Sequence, residues 1–197
     1  MTRIKICGLS RMEDIAAVNA ARPEYAGFVF AESRRQVTPQ QAARLRGALA
    51  PGIIPIGVFV NAQKESVLRL FLAGTIAAAQ LHGSEEESDI RFLQQAGVPV
   101  IRAFRVKSAQ DALHALQSPA DCLLLDSGSG TGKTFDWSVL PPIARPWFLA
   151  GGLTPENVCH AVQTLHPWGV DVSSGVETDG KKDSVKIDTI IRRVRNG

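Results

Sequence analysis

Apolar residues in this chain gather in short β-branched runs, at residues 3–8, 25–30, 53–60, 77–83, 98–104, 121–126, 147–152 and 169–175. Between the runs they recur at three- and four-residue intervals, as in Ala42/Leu45/Leu49, Val67/Leu68/Phe71/Leu72, Val158/Val162/Leu165 and Ile187/Ile190/Ile191/Val194. That spacing lines one face of a helix. The pattern predicts strand then helix, eight times. Residues 53–60 and 122–125 are nearly continuous apolar runs, the form expected of strands in a parallel sheet wrapped by helices.

Helix starts are signalled where the pattern needs them. Ser10 with Glu13, and Ser84 with Glu87, have the form of a capping box, in which a hydroxyl and a carboxylate satisfy free N–H groups reciprocally. Thr38-Pro39 and Thr154-Pro155 put a capping hydroxyl before a proline at the first helical position. Eight such units predict an α/β fold, a closed (β/α)8 TIM barrel. An open doubly wound sheet would more often have five or six strands and a glycine fingerprint after the first. At 197 residues the barrel is near-minimal, close to the lower end of about 200 for this architecture. No linker or low-complexity stretch interrupts it, so residues 1–197 are expected to form a single domain.

Charge and cysteine content narrow the function. The 22 Lys+Arg and 19 Asp+Glu leave a formal charge of +3, spread along the chain rather than gathered into the basic stripe that nucleic acid requires. The three cysteines, Cys7, Cys122 and Cys159, are an odd number without ligand-like spacing, so neither a disulfide framework nor a metal site is expected. No signal peptide is visible, and no run approaches the roughly 18 apolar residues that span a bilayer. A cytoplasmic protein without membrane or nucleic-acid partners is expected.

In a barrel of this kind, chemistry lies where strands end and βα-loops begin. Those ends carry Cys7, Ser33 and Arg35, Asn61, Gln80 and His82, Arg102, Asp126, Gly151-Gly152, and Asp171 with Ser173-Ser174-Gly175. Cys7 is either a small buried hydrophobe, the common fate of a free cysteine, or a thiolate base whose pKa is lowered by nearby helix N-termini. Cys122 and Cys159 fall inside a strand and a helix, where packing is expected. Asp126 closes so apolar a strand that it is a candidate proton donor, its alternative being a carboxylate held by loop N–H groups. Gly151-Gly152 and Ser173-Ser174-Gly175 end the last two strands, where barrels often bind phosphate through backbone N–H groups; otherwise they are tight turns. Arg35 is either a surface cation or a clamp for a carboxylate. His82 is open between packing and substrate contact, and His114, His160 and His166 form no metal set. Residues 127–134 look like a nucleotide-binding loop, but Ser127 stands where its first glycine belongs and Pro141-Pro142 would cut short the helix it must open. They read instead as an active-site loop carrying Lys133.

At these residues the chain resembles the phosphoribosylanthranilate isomerase family. The resemblance is carried by Lys5-Ile-Cys-Gly-Leu, Gly27-Phe-Val-Phe with Ser33 and Arg35, Gly57-Val-Phe-Val, Gln80-Leu-His-Gly, Leu125-Asp126, Gly132-Lys-Thr-Phe-Asp-Trp, Ala150-Gly-Gly-Leu with Pro155-Glu-Asn, and Asp171-Val-Ser-Ser-Gly-Val-Glu. It runs in order through all but the fifth unit. It implies an Amadori rearrangement of N-(5-phosphoribosyl)anthranilate in tryptophan biosynthesis that needs no cofactor and no metal. Cys7 would be the general base and Asp126 the general acid; Arg35 would bind the anthranilate carboxylate. Asp171 would help orient the substrate, and Gly151, Gly152, Ser173, Ser174 and Gly175 would hold its phosphate. The assembly would be a monomer or homodimer. Family members often carry more residues between the strand-six Asp and Gly132, where this chain has residues 127–131, which leaves the role of Lys133 open. The alternatives are the related histidine-pathway aldose–ketose isomerase, which usually relies on two aspartates, and a non-enzymatic phosphate-binding barrel.

Overall fold

The structure, a computed structural model, describes residues 1–126 and 137–196. Eight parallel strands close into a barrel in chain order: β1 (Arg3–Cys7), β2 (Tyr25–Val29), β3 (Ile54–Phe59), β4 (Ala78–Leu81), β5 (Val100–Arg105), β6 (Cys122–Asp126), β7 (Trp147–Ala150) and β8 (Gly169–Val172). Among the described residues, helices α1 (Met12–Ala21), α2 (Pro39–Gly47), α3 (Lys64–Leu72), α4 (Glu87–Gln95), α5 (Ala109–Leu116), α6 (Val158–Leu165) and α7 (Ser184–Asn196) follow all the strands except β6. The predicted barrel is correct, but the sixth unit departs from it. Between β6 and β7 the described residues hold a 3-10 turn, Trp137–Val139, instead of an α-helix. Pro141 and Pro142 follow, and a proline offers no N–H and disfavours helical backbone in the residue before it. Lys133 and the nucleotide-loop likeness lie outside the described residues. No helix among the described residues is long and apolar enough to cross a membrane.

The helix starts follow the predicted logic with shifted residues. Thr38 caps α2 as expected: its Oγ1 accepts from the Gln41 N–H at 3.2 Å while Gln41 Oε1 accepts from the Thr38 N–H at 2.8 Å. Helix α1 begins one residue later than Ser10 and Glu13 suggested, which brings Asp14 into the third helical position. Its buried carboxylate accepts from the N–H groups of Ser10 and Arg11, both at 3.0 Å. Asp89, not Glu87, performs this role for α4, taking the Glu86 N–H at 3.2 Å. The Ser84 hydroxyl and N–H donate instead to Asn61 Oδ1. Thr154-Pro155 opens a turn rather than a helix; Asn157 Oδ1 accepts the Thr154 N–H at 2.8 Å, and α6 starts after it.

Side chains alternate across each strand, and here the two faces meet different partners. Ile4, Ile6, Ala26, Phe28, Leu123, Leu125, Leu149 and Val170 point outward and pack with the helices. Ile56, Ala78, Ile101, Ala103, Cys122, Leu124, Phe148 and Ala150 point inward and fill the barrel. Its lower end is closed by aromatic rings: Tyr25 and Trp168 meet Phe148 edge-on at centroid distances of 5.6 Å and 5.1 Å, and the Arg3 guanidinium lies 4.3 Å above Trp168. With the base packed, polar groups gather at the carboxyl ends of the strands.

Candidate active site

A cavity of about 650 Å³ opens at those carboxyl ends. Cys7 enters it from β1 and Asp126 from β6, with β7 and β8 between them. His82, one residue beyond β4, brings Nε2 to 3.6 Å from Asp126 Oδ2. Gly151 and Gly152 lie on the cavity wall after β7, both with positive φ of 88° and 65°, a backbone that side-chain-bearing residues seldom adopt. Ser173, Ser174 and Gly175 line it after β8. The two loops share a close seam, since a Cβ at Gly175 would lie 2.9 Å from the Leu153 carbonyl carbon.

The electrostatics are set by buried pairs. Lys5, one inward position below Cys7, is fully enclosed, and its Nζ donates to both carboxylate oxygens of Asp171 at 2.9 Å. Burial alone would push the Lys5 ammonium down, but the Asp171 carboxylate and the Cys7 thiol turn the balance and raise it. The same burial pushes the Cys7 thiol up, against the opposing pull of Lys5 and Lys182. This reverses the expectation of a lowered thiol: Cys7 is 7% exposed, and losing water outweighs the cations beside it. Burial also lowers His82 below the ordinary imidazole range despite Asp126, so the ring is neutral at pH 7. Cys122 packs inside the barrel, its thiol pushed up to about 12 by burial, whereas Cys159 is partly exposed on α6.

Arg35 reaches the cavity mouth already partnered. Its Nε and Nη2 donate to the two oxygens of Glu177 at 2.6 Å and 2.8 Å. Glu177 also takes Lys182 Nζ at 2.7 Å and Arg34 at 2.6 Å. Burial would raise this carboxyl, but Arg35 and Lys182 hold it at about 2. Lys182 in turn donates to the Ser173 carbonyl at 2.9 Å, tying the cluster to the loop after β8. Glu177 and Lys182 belong to a short antiparallel hairpin, β9 (Glu177–Thr178) and β10 (Lys181–Lys182), that follows that loop.

The model of the N-(5'phosphoribosyl)anthranilate (PRA) isomerase family matches residues 4–193. The chain is 48% identical to the N-(5'-phosphoribosyl)anthranilate isomerase of Lacticaseibacillus casei strain BL23, covering 99% of this chain and 96% of the relative. It therefore belongs to that family. The phosphoribosyl anthranilate isomerase of Thermotoga maritima superimposes with a TM-score of 0.92 at 38% identity, each chain covered in full. A family structure in complex with reduced 1-(o-carboxyphenylamino)-1-deoxyribulose 5-phosphate gives a TM-score of 0.87 at 35% identity, again over both whole chains.

Cys7, Arg35, His82, Asp126, Gly151, Gly152, Asp171, Ser173, Ser174 and Gly175 all line one cavity of this isomerase. Two other strand-end candidates do not: Arg102 pairs with Glu85 away from it, and Asn61 Oδ1 accepts from the Ser84 N–H and hydroxyl. Three charged groups escaped that reading: Lys5, Glu177 and Lys182. One signal was available for Lys5: it stands between Ile4 and Ile6, on the same face of the strand as Cys7. Its partner Asp171 is set by the register of β8 against β1. Glu177 and Lys182 lie beyond the last barrel strand, where period-two logic has nothing to say.

Proposed function

We propose that this isomerase converts N-(5'-phosphoribosyl)anthranilate into 1-(o-carboxyphenylamino)-1-deoxyribulose 5-phosphate, with Asp126 as general acid and Cys7 as general base. The observation that carries the reading is that an acid and a base from β6 and β1 open into the same cavity, beside two glycine- and serine-lined loops. Asp126 protonates the furanose ring oxygen while the anthranilate nitrogen lone pair opens the ring to a protonated Schiff base. Cys7 then removes the proton from C2′. The electron pair moves to the C1–C2 bond and neutralises the iminium, and the resulting enolamine tautomerises to the ketone. C1 is reduced as C2 is oxidised, so the atoms balance without an outside oxidant or reductant.

Supporting groups have parts that fit this sequence. His82, its ring neutral, stands with Nε2 3.6 Å from Asp126 Oδ2. The backbone around Gly151, Gly152, Ser173, Ser174 and Gly175 receives the phosphate, and Asp171 holds the Lys5 ammonium under Cys7. Glu177 occupies the Nε edge of Arg35, which leaves Nη1 to meet the anthranilate carboxylate. The enzyme works in the reducing cytoplasm, where its thiols stay free. Substrate and product differ in fluorescence, so the test is direct: pure protein with freshly prepared substrate changes emission at a rate proportional to enzyme. No change would overturn the assignment.

A further inference from the structure

Gln80 sits at an inward position of β4, two residues before His82, and lines the cavity while being 1% exposed. Its Oε1 is buried with no hydrogen-bond partner among the described residues. Buried amide oxygens are seldom left in this state, because an unmet acceptor that has lost water destabilises the fold. The neighbours in register on the adjacent strands are Val58 and Ile101, neither of which has a side-chain donor. A methionine or leucine would fill the same position without that cost, so the amide calls for a partner that the described residues do not supply.

The isomerase reading above, on which this step rests, limits what that partner is. An acceptor oxygen needs a donor. The phosphate and the carboxylate of the substrate are anions without one, and the anilinic N–H is engaged by the ortho carboxylate of its own ring. The ribose hydroxyls remain. We propose that Gln80 is a substrate-binding residue whose side-chain carbonyl accepts a hydrogen bond from a ribose hydroxyl. It fixes the sugar between Cys7 and Asp126.

The test compares wild type, Gln80→Met and Gln80→Glu by steady-state turnover and thermal melting. Gln80→Met, which keeps the volume and loses the acceptor, is expected to lower kcat/KM by roughly 10-fold or more while melting at or above the wild-type temperature. Gln80→Glu keeps an acceptor oxygen and is expected to retain more activity than Gln80→Met. A second measurement uses wild type with glutamine labelled at the side-chain carbonyl carbon: the Gln80 signal is expected to move when the reduced product analogue is added. If Gln80→Met turns over like wild type, or fails to fold or melts lower, or the labelled signal does not move, the proposal is overturned. Wild-type protein that does not isomerise the substrate would instead overturn the parent reading, and the two failures are distinct.

Discussion

The Lys5 ammonium, wholly enclosed in the barrel, lies 2.9 Å from each carboxylate oxygen of Asp171, which is itself 9% exposed. Breaking such a pair leaves an uncompensated charge in a medium that solvates it poorly. Lys5→Met is therefore expected to lower stability by about 3–5 kcal/mol, measured by denaturant unfolding. Adding Asp171→Asn to Lys5→Met removes the stranded carboxylate and is expected to recover most of that loss. Losses that simply add would show that the two groups are not coupled.

The same ammonium opposes the burial that pushes the Cys7 thiol up. A base that must first lose a proton acts more often as pH rises, so kcat/KM is expected to climb from neutral into alkaline solution. In Lys5→Met the climb should move to higher pH, since a cation that favours the thiolate is gone. Alkylation of Cys7 by iodoacetamide should follow the same two curves. A pH profile that Lys5→Met leaves in place would separate Lys5 from the thiol.

Removal of either proposed proton-transfer group gives the simplest kinetic check. Cys7→Ala and Asp126→Asn are each expected to reduce kcat by roughly 10²- to 10⁴-fold. Affinity for the reduced product analogue, measured by calorimetry, should stay close to that of wild type, because Arg35 and the loops proposed to receive the phosphate are untouched. Turnover that survives both substitutions would remove these residues from the mechanism.

Much of this was legible in the sequence, for reasons of period. Alternation of two and of three to four is a local property, and it yielded the eight strands and the strand ends where Cys7, His82, Asp126 and Asp171 stand. The Lys5–Asp171 pair was not legible, because its partners are 166 residues apart and meet only once β8 closes against β1 in a definite register. Of the helix expected after β6, the described residues hold only the 3-10 turn Trp137–Val139, and Pro141 and Pro142 beyond it oppose helical backbone. The direction of the Cys7 shift was misjudged for a different reason. Helix N-termini are visible in a sequence as caps, whereas the depth at which a strand end is buried is not.

Glu177 makes a stability signature at low pH. Its carboxyl is held at about 2 in the folded protein by Arg35 and Lys182, whereas an unfolded chain titrates near 4.3. As pH falls the unfolded chain takes up this proton first, so the contribution is full above that value and lost as pH drops toward 2. Melting temperatures of wild type and Glu177→Gln are expected to differ at pH 6 and to converge toward pH 2. The variant should also raise KM, since Arg35 loses the partner that holds it at the cavity mouth. Parallel curves across that range would exclude the ion cluster as their source.

Gly27 faces Cys7 across the β1–β2 pair, and its carbonyl accepts the N–H groups of Gly8 and Leu9 at 2.9 Å and 3.1 Å. A Cβ added there would stand 2.8 Å from Cys7 Sγ and 3.0 Å from Cys7 Cα. Backbone at that distance has to move, and the turn that begins at Gly8 moves with it. Gly27→Ala is thus expected to cost about 1–3 kcal/mol as overpacking. Because displacing a reacting group by an ångström slows turnover on the order of 10²-fold, kcat should fall far more than analogue affinity. Gly47→Ala is the matched control: that glycine ends α2 with nothing within 4 Å of its added Cβ, so about 0.4–1 kcal/mol of stability should be gained with kcat unchanged. If Gly27→Ala behaved like Gly47→Ala, the position of Cys7 would not depend on the space that Gly27 leaves open.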